Sequence, residues 1–123
     1  MARKEATKGK AKIATMREVL DRAKETERFT SDPNIDELVS GKAGTEGAEF
    51  WQAVHYLAEA IVHVPRSAKT LRARFARAEA ESVRAACETC EVLRDEKRAN
   101  RSQLLISIKL LDVALVRLAV MAG

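Results

Sequence analysis

Residues 104–122, LLISIKLLDVALVRLAVMA, decide how this chain folds. Leu104, Ile108, Leu111, Leu115, Leu118 and Ala122 recur at steps of four and three, the spacing of a helix with one buried seam. At about 100° per residue they occupy a sector roughly 80° wide. The opposite side is not polar, because Ile106, Val113, Val116 and Val120 form a second apolar surface interrupted by Lys109, Asp112 and Arg117. A helix apolar nearly all round is buried on every side or crosses a membrane. Three charges spread around so short a stretch argue against a membrane span. The stretch therefore predicts a core helix with a second partner, and Val113, Val116 and Val120 are the expected interface residues.

Around this helix the composition asks for more helices. Ala, Arg, Glu, Leu and Val dominate, Gly and Pro are scarce, and aromatics make up only 4% of the chain, so the core must be aliphatic. A chain of 123 residues suffices for one domain with a self-contained core. A first helix is predicted over 13–29, with Ile13, Met16, Leu20 and Ala23 as its stripe and Val19 beside it. Asp32 and Pro33 then offer a cap and a first helical position for a short helix over 34–39. Gly41, Gly44 and Gly47 predict a flexible connection. A second long helix over 46–64 carries Phe50, Val54, Leu57 and Ile61, widened by Trp51, Ala58 and Val62, and Pro65 stops it.

A third helix is predicted from a Ser67 cap to about residue 98. Its expected buried seam reads Leu71, Phe75, Ala78, Ser82, Ala85/Ala86, Thr89 and Leu93, and the small residues at its centre imply a close helix approach. Asn100 with Gln103 is a capping-box-like start for the last helix. No strand and no internal repeat is evident. The expected fold is all-α: a compact bundle of four main helices plus one short helix over 13–123, preceded by a flexible basic arm over 1–12.

Charge is distributed in blocks. Residues 1–12 hold Arg3, Lys4, Lys8, Lys10 and Lys12 against Glu5, a net +4 that equals the net charge of the whole chain. Residues 65–78 carry Arg66, Lys69, Arg72, Arg74 and Arg77 with no acid. On a helix continuous from Ser67, Arg66, Lys69, Arg77 and Arg84 fall within a sector of roughly 80°, flanked by Arg72 and opposite the predicted seam. Such a row suits phosphates, to which Arg offers bidentate contacts. The expected nucleic-acid-binding residues are thus Lys4, Lys8, Lys10, Lys12, Arg66, Lys69, Arg72, Arg77 and Arg84. Nearly absent aromatics exclude base-stacking recognition of single strands.

Other motifs have plainer readings. Cys87-Glu88-Thr89-Cys90 is a C-x-x-C placed mid-helix, where two small residues filling a helix contact explain it better than a redox or zinc site. His55, Glu59 and His63 are spaced four apart, a conceivable metal cluster, yet edge positions of a core helix account for them. LAEAIVHVPRSAKTLRARF, residues 57–75, resembles a helix-turn-helix unit, with Leu57, Ala58 and Ile61 on its first helix and Leu71 and Phe75 on its second. That resemblance implies a DNA-binding regulator. No phosphate loop, nucleophile elbow or acid pair in an apolar setting is present, so no catalysis and no cofactor are expected. The N-terminus lacks an apolar h-region, no segment reads as a membrane anchor, and two cysteines without a secretory signal fit a cytoplasmic protein.

The arm, the basic face and the surplus apolar surface together predict a small non-catalytic helical subunit. It would bind nucleic-acid backbone, RNA or DNA, without sequence specificity inside a ribonucleoprotein-type assembly with companion subunits or copies of itself. In architecture it resembles the small helical subunits that line nucleic-acid strands in CRISPR effector complexes. A structural or adaptor bundle whose basic face meets an acidic protein is the alternative from another class.

Overall fold

The computed structural model describes residues 14–39, 45–96 and 101–122. Their regular structure is all helical: α1 Met16–Thr30, α2 Ile35–Val39, α3 Thr45–Val62, α4 Leu71–Asp95 and α5 Arg101–Ala122. The four long helices form a ring in which each packs on two neighbours, in the order α1, α3, α4, α5, with α2 laid against α3. The four-main-helix bundle with one short helix expected from sequence is the fold.

Three of the helices begin where a side chain occupies an orphan backbone donor. Thr15 caps α1, its hydroxyl accepting the Glu18 amide at 3.1 Å. Thr70, not Ser67, caps α4, accepting the Ala73 amide at 3.0 Å. The Asp32 carboxylate accepts the Asn34 amide at 2.8 Å ahead of α2. Gly47 lies inside α3 rather than in the preceding connection; Gly41 and Gly44 fall outside the described residues. Its α-carbon abuts α2 so closely that an added Cβ would stand 2.8 Å from the Leu38 carbonyl oxygen.

The core is aliphatic. Phe50, Val54, Leu57 and Ile61 of α3 are fully buried, and Leu104, Ile108, Leu111, Leu115 and Leu118 of α5 line its other side as their spacing predicted. On α1 the buried line is Val19, Ala23, Thr26 and Thr30, with Met16 and Leu20 half-buried at its edge. The stripe is thus rotated towards Val19. Two threonines can be buried because each finds an acceptor. Thr26 donates to the Arg22 carbonyl at 2.9 Å, and Thr30 donates across to the α5 carboxylate of Asp112 at 2.7 Å.

The largest departure from sequence expectation is α4. Its buried line is Ala76, Ala80, Val83, Cys87 and Cys90. The predicted seam from Leu71 through Phe75, Ala78, Ser82, Ala85 and Thr89 is exposed instead, with Leu71 at 66% and Phe75 at 48%. The two lines lie about 140° apart around the helix. α5 offers α4 a dense row of Leu and Ile, and interiors fill to crystal-like density. A small-residue line fits beside that row, and the larger side chains are turned out.

α4 and α5 form the most extensive pairing. They run antiparallel, and Arg117 in the last third of α5 is tied to Glu79 in the first half of α4 at 2.9 Å.

Candidate nucleic-acid interface

The chain segment between α3 and α4, residues 63–70, carries Arg66 and Lys69, both exposed. Because Thr70 is the cap, these two cations precede α4 rather than continue it, and the continuous basic face expected from Arg66 to Arg84 does not form. Arg72 and Arg74 follow on the first turn of α4, also exposed. The Arg74 Nε donates to the Ala68 carbonyl at 3.4 Å, folding the 66–70 segment against the helix start. Arg66, Lys69, Arg72 and Arg74 make no ion pair with a carboxylate among the described residues.

The other two predicted members are committed internally. Arg77 is largely buried and its Nη1 lies 2.8 Å from Glu81. Arg84 pairs with Glu81 at 2.8 Å and with Glu88 at 3.1 Å. Burial raises the pKa of Glu81, but hydrogen bonds from Arg84 and Arg77 outweigh it and hold the carboxyl below its ordinary range. Arg84 is pushed the other way by the same Glu81 bond. Two cations on two carboxylates leave no net positive field there. Arg77 and Arg84 are therefore removed from the candidate interface and Arg74 joins it. Arg74 was visible in the acid-free block 65–78, but it lies about 60° from Leu71 of the predicted seam, which the structure turns to solvent.

Tertiary structure brings residue 14 to this cluster. The Ala14 amide donates to the His63 carbonyl at 3.0 Å, and Ala14 is buried. Met16, Thr70, Arg72, Met121 and Ala122 line one crevice, so the start of α1, the start of α4 and the end of α5 meet at one end of the bundle. Residue 14 is thus pinned three residues from Arg66 along the neighbouring segment. Lys12 lies only two residues before it, within roughly 7 Å of chain. Lys4, Lys8, Lys10 and Lys12 themselves lie outside the described residues.

The remaining candidate groups are built differently. Cys87 and Cys90 are free thiols with no exposed surface. Burial pushes the Cys90 pKa up to about 12 and that of Cys87 higher still, aided by the neighbouring glutamates, so neither is a thiolate at neutral pH. His55 reaches Glu59 at 3.5 Å and Glu91 on α4 at 3.7 Å. Among the described residues no group of three His, Cys, Asp or Glu side chains could hold a metal ion. A groove of about 380 Å³ between α1 and α5 has Leu20, Ala23, Leu115 and Ala119 at its base and Arg17, Lys24 and Glu27 at its rim. None of the lining side chains is a histidine, cysteine or serine.

The α3–α4 connection spans eight residues, longer than the three or four of a helix-turn-helix, and Leu71 and Phe75 point to solvent rather than onto α3. Among the described residues no helix is long and apolar enough to cross a membrane. Val113, Val116 and Val120 are all exposed, at 55%, 47% and 73%. No protein family matches the chain, and neither a curated protein nor a solved structure shows significant similarity to it.

Proposed function

We propose that this protein is a small, non-catalytic helical subunit that binds the phosphate backbone of nucleic acid through one basic end, without reading sequence. The observation that supports this is that Ala14, two residues after the Lys-rich stretch 1–12 in sequence, is held beside a second basic block far along the chain. Arg66, Lys69, Arg72 and Arg74 make no ion pair among the described residues, and their segment follows the point where the Ala14 amide meets the His63 carbonyl. Arg66, Lys69, Arg72 and Arg74 contribute +4 and residues 1–12 a further net +4 in sequence just before Ala14, whereas the remaining residues carry a net charge of −4. Lysines on a peptide segment and arginines on a rigid helix start are complementary. The first increase encounter and reach, the second give bidentate phosphate contacts. Buried free thiols suit a reducing compartment such as the cytoplasm.

A salt series of equilibrium binding to random-sequence duplex and to single-stranded RNA tests this. Each neutralised phosphate steepens the dependence of log K on log salt by about 0.9 on duplex. Changing Arg66, Lys69, Arg72 and Arg74 together to Gln should flatten the slope by about 3 to 4 and weaken binding to all sequences alike. Changing Arg77 and Arg84 to Gln should leave the slope within about one unit of the original. Absence of binding at low salt, or an unaltered slope in the fourfold variant, refutes the proposal. Stoichiometric capture of an acidic protein would then favour the adaptor role, and a preference for one duplex sequence the regulator.

A further inference from the structure

At the basic end the start of α1, the start of α4 and the end of α5 meet without closing on one another, and a crevice of about 220 Å³ remains between them. Its cause lies in the residues that α4 presents there. Ala73 and Ala76 line the crevice, while the larger Leu71 and Phe75 are turned to solvent. An alanine side chain ends at its Cβ, so the half-buried Met16 of α1 and Met121 of α5 border a space that α4 does not fill. Thr70 and the exposed Arg72 complete the lining. We infer that this crevice takes one unpaired base of a single-stranded nucleic acid, whose flanking phosphates lie on Arg66, Lys69, Arg72 and Arg74. The inference rests on the backbone-binding reading of the basic end and names the form of nucleic acid that this end prefers.

Size is the first argument. Pockets for drug-sized ligands measure about 300–1,000 Å³, so 220 Å³ is room for one ring system. The chemistry of the lining is the second. Among the described lining residues none is aromatic, yet two other surfaces suit the face of a base. A thioether is polarisable and makes favourable contacts with aromatic rings. A guanidinium plane stacks on a base. Neither group reads the donors and acceptors along a base edge, so insertion stays independent of sequence.

Charge around the crevice is the third argument. Lys69 immediately precedes Thr70, and the Arg74 bond to the Ala68 carbonyl folds the 66–70 segment against the same helix start. These cations and Arg72 make no ion pair with a carboxylate among the described residues. A nucleotide joins a flat, apolar face to an anion through one sugar, which matches an apolar slot bordered by cations. Four cations exceed what a single phosphate engages, so the arrangement favours a strand over a free nucleotide. In a duplex the bases are held inside the stack, and only the phosphates reach the cluster.

The test uses the full chain and a ten-nucleotide single strand, made as DNA and as RNA, with 2-aminopurine at its centre. This base is dim when stacked on its neighbours, and a crevice lined by alanine and methionine does not quench it. Its emission should therefore rise on saturation with either sugar, and should not rise when the strand is annealed to its complement. Extrapolated to 1 M salt, where counterion release no longer contributes, the single strand should remain about 10-fold tighter than the duplex. Ala73→Leu fills the crevice without removing a cation, and should abolish both the rise and this preference while keeping the salt slope. Arg72→Lys keeps the charge but not the plane, and should keep the slope while reducing the preference. Met121→Ala should reduce the preference likewise, and melting curves establish that each variant is folded. Adenosine monophosphate at millimolar concentration should not displace the strand. Equal affinities for strand and duplex at 1 M salt, a rise that survives Ala73→Leu, or displacement by the free nucleotide overturns the inference. Salt-dependent binding without preference for the strand leaves the backbone reading standing and removes only the crevice; absence of binding at low salt removes both.

Discussion

Truncation of Leu111 to alanine probes the centre of the bundle. Leu111 has no exposed surface and lies midway along the α5 seam. Removing three buried carbons forfeits about 2.4 kcal/mol of transfer free energy at about 0.8 kcal/mol each. Incomplete collapse of the surrounding helices adds a cavity contribution, so the expected loss is about 3 to 4 kcal/mol, inside the range of about 2–5 for buried leucines. Against a total stability of about 5–15 kcal/mol that is a large fraction, and the melting midpoint should fall by roughly 10–15 °C. Guanidinium unfolding followed by helical circular dichroism and by Trp51 fluorescence measures it. Trp51 reports well because it sits 4.9 Å from the Phe50 ring under the Arg94 guanidinium. The control is Lys109→Ala, exposed and about 200° around the same helix, for which a change within about 0.5 kcal/mol is expected. A Leu111→Ala loss below about 1 kcal/mol, or a Lys109→Ala loss of equal size, would refute the assigned seam.

Gly47→Ala should lower stability by about 1–3 kcal/mol despite the better helix propensity of alanine, because its Cβ would meet the Leu38 carbonyl at 2.8 Å; a raised melting temperature would contradict that contact. Cys87 and Cys90 should resist an aromatic disulfide reagent at pH 8 in the native protein and react fully in strong guanidinium. Rapid native labelling would mean that the α4 inner line is open to solvent. Glu81 has a folded pKa below its unfolded value of about 4.3. Its contribution is therefore complete above that value and is lost as pH falls through the lower, folded one. Glu81→Gln should lower stability at pH 7 and flatten the acid limb of the stability curve below about pH 4.3, and an unchanged acid limb would show that the Arg77 and Arg84 bonds do not form in solution.

Much of the interior could be read from spacing alone. The α5 line from Leu104 to Leu118 and the α3 line from Phe50 to Ile61 are each a single apolar stripe of large side chains, and each is buried as read. Large aliphatic groups at four-three spacing have only one low-energy place to go, so one helix suffices to predict their burial. The all-α class followed from the same periodicity and from the scarcity of Gly and Pro. The basic block 65–78 was equally plain as composition.

What sequence left undetermined was every choice between two comparable local solutions. α4 carries two stripes of similar hydrophobicity about 140° apart, and its own sequence does not rank them. The volume of the α5 row beside it does, drawing in Ala80, Val83 and Cys87 and leaving Leu71 and Phe75 outside. Ser67 and Thr70 are both competent caps, and the use of Thr70 took Arg66 and Lys69 off the helix and undid the predicted row of cations. The spacing of four already pointed to an Arg84–Glu88 pair, but only the structure shows Glu81 holding both Arg77 and Arg84 at 2.8 Å. The meeting of residue 14 with His63 depends on how α1 and α3 pack, and no local pattern encodes it. The residues 104–122 thus determined on their own that one side of α5 is core. Only the ring of four helices decided that its other side, with the turned-out stripe of α4, is a single uncovered face.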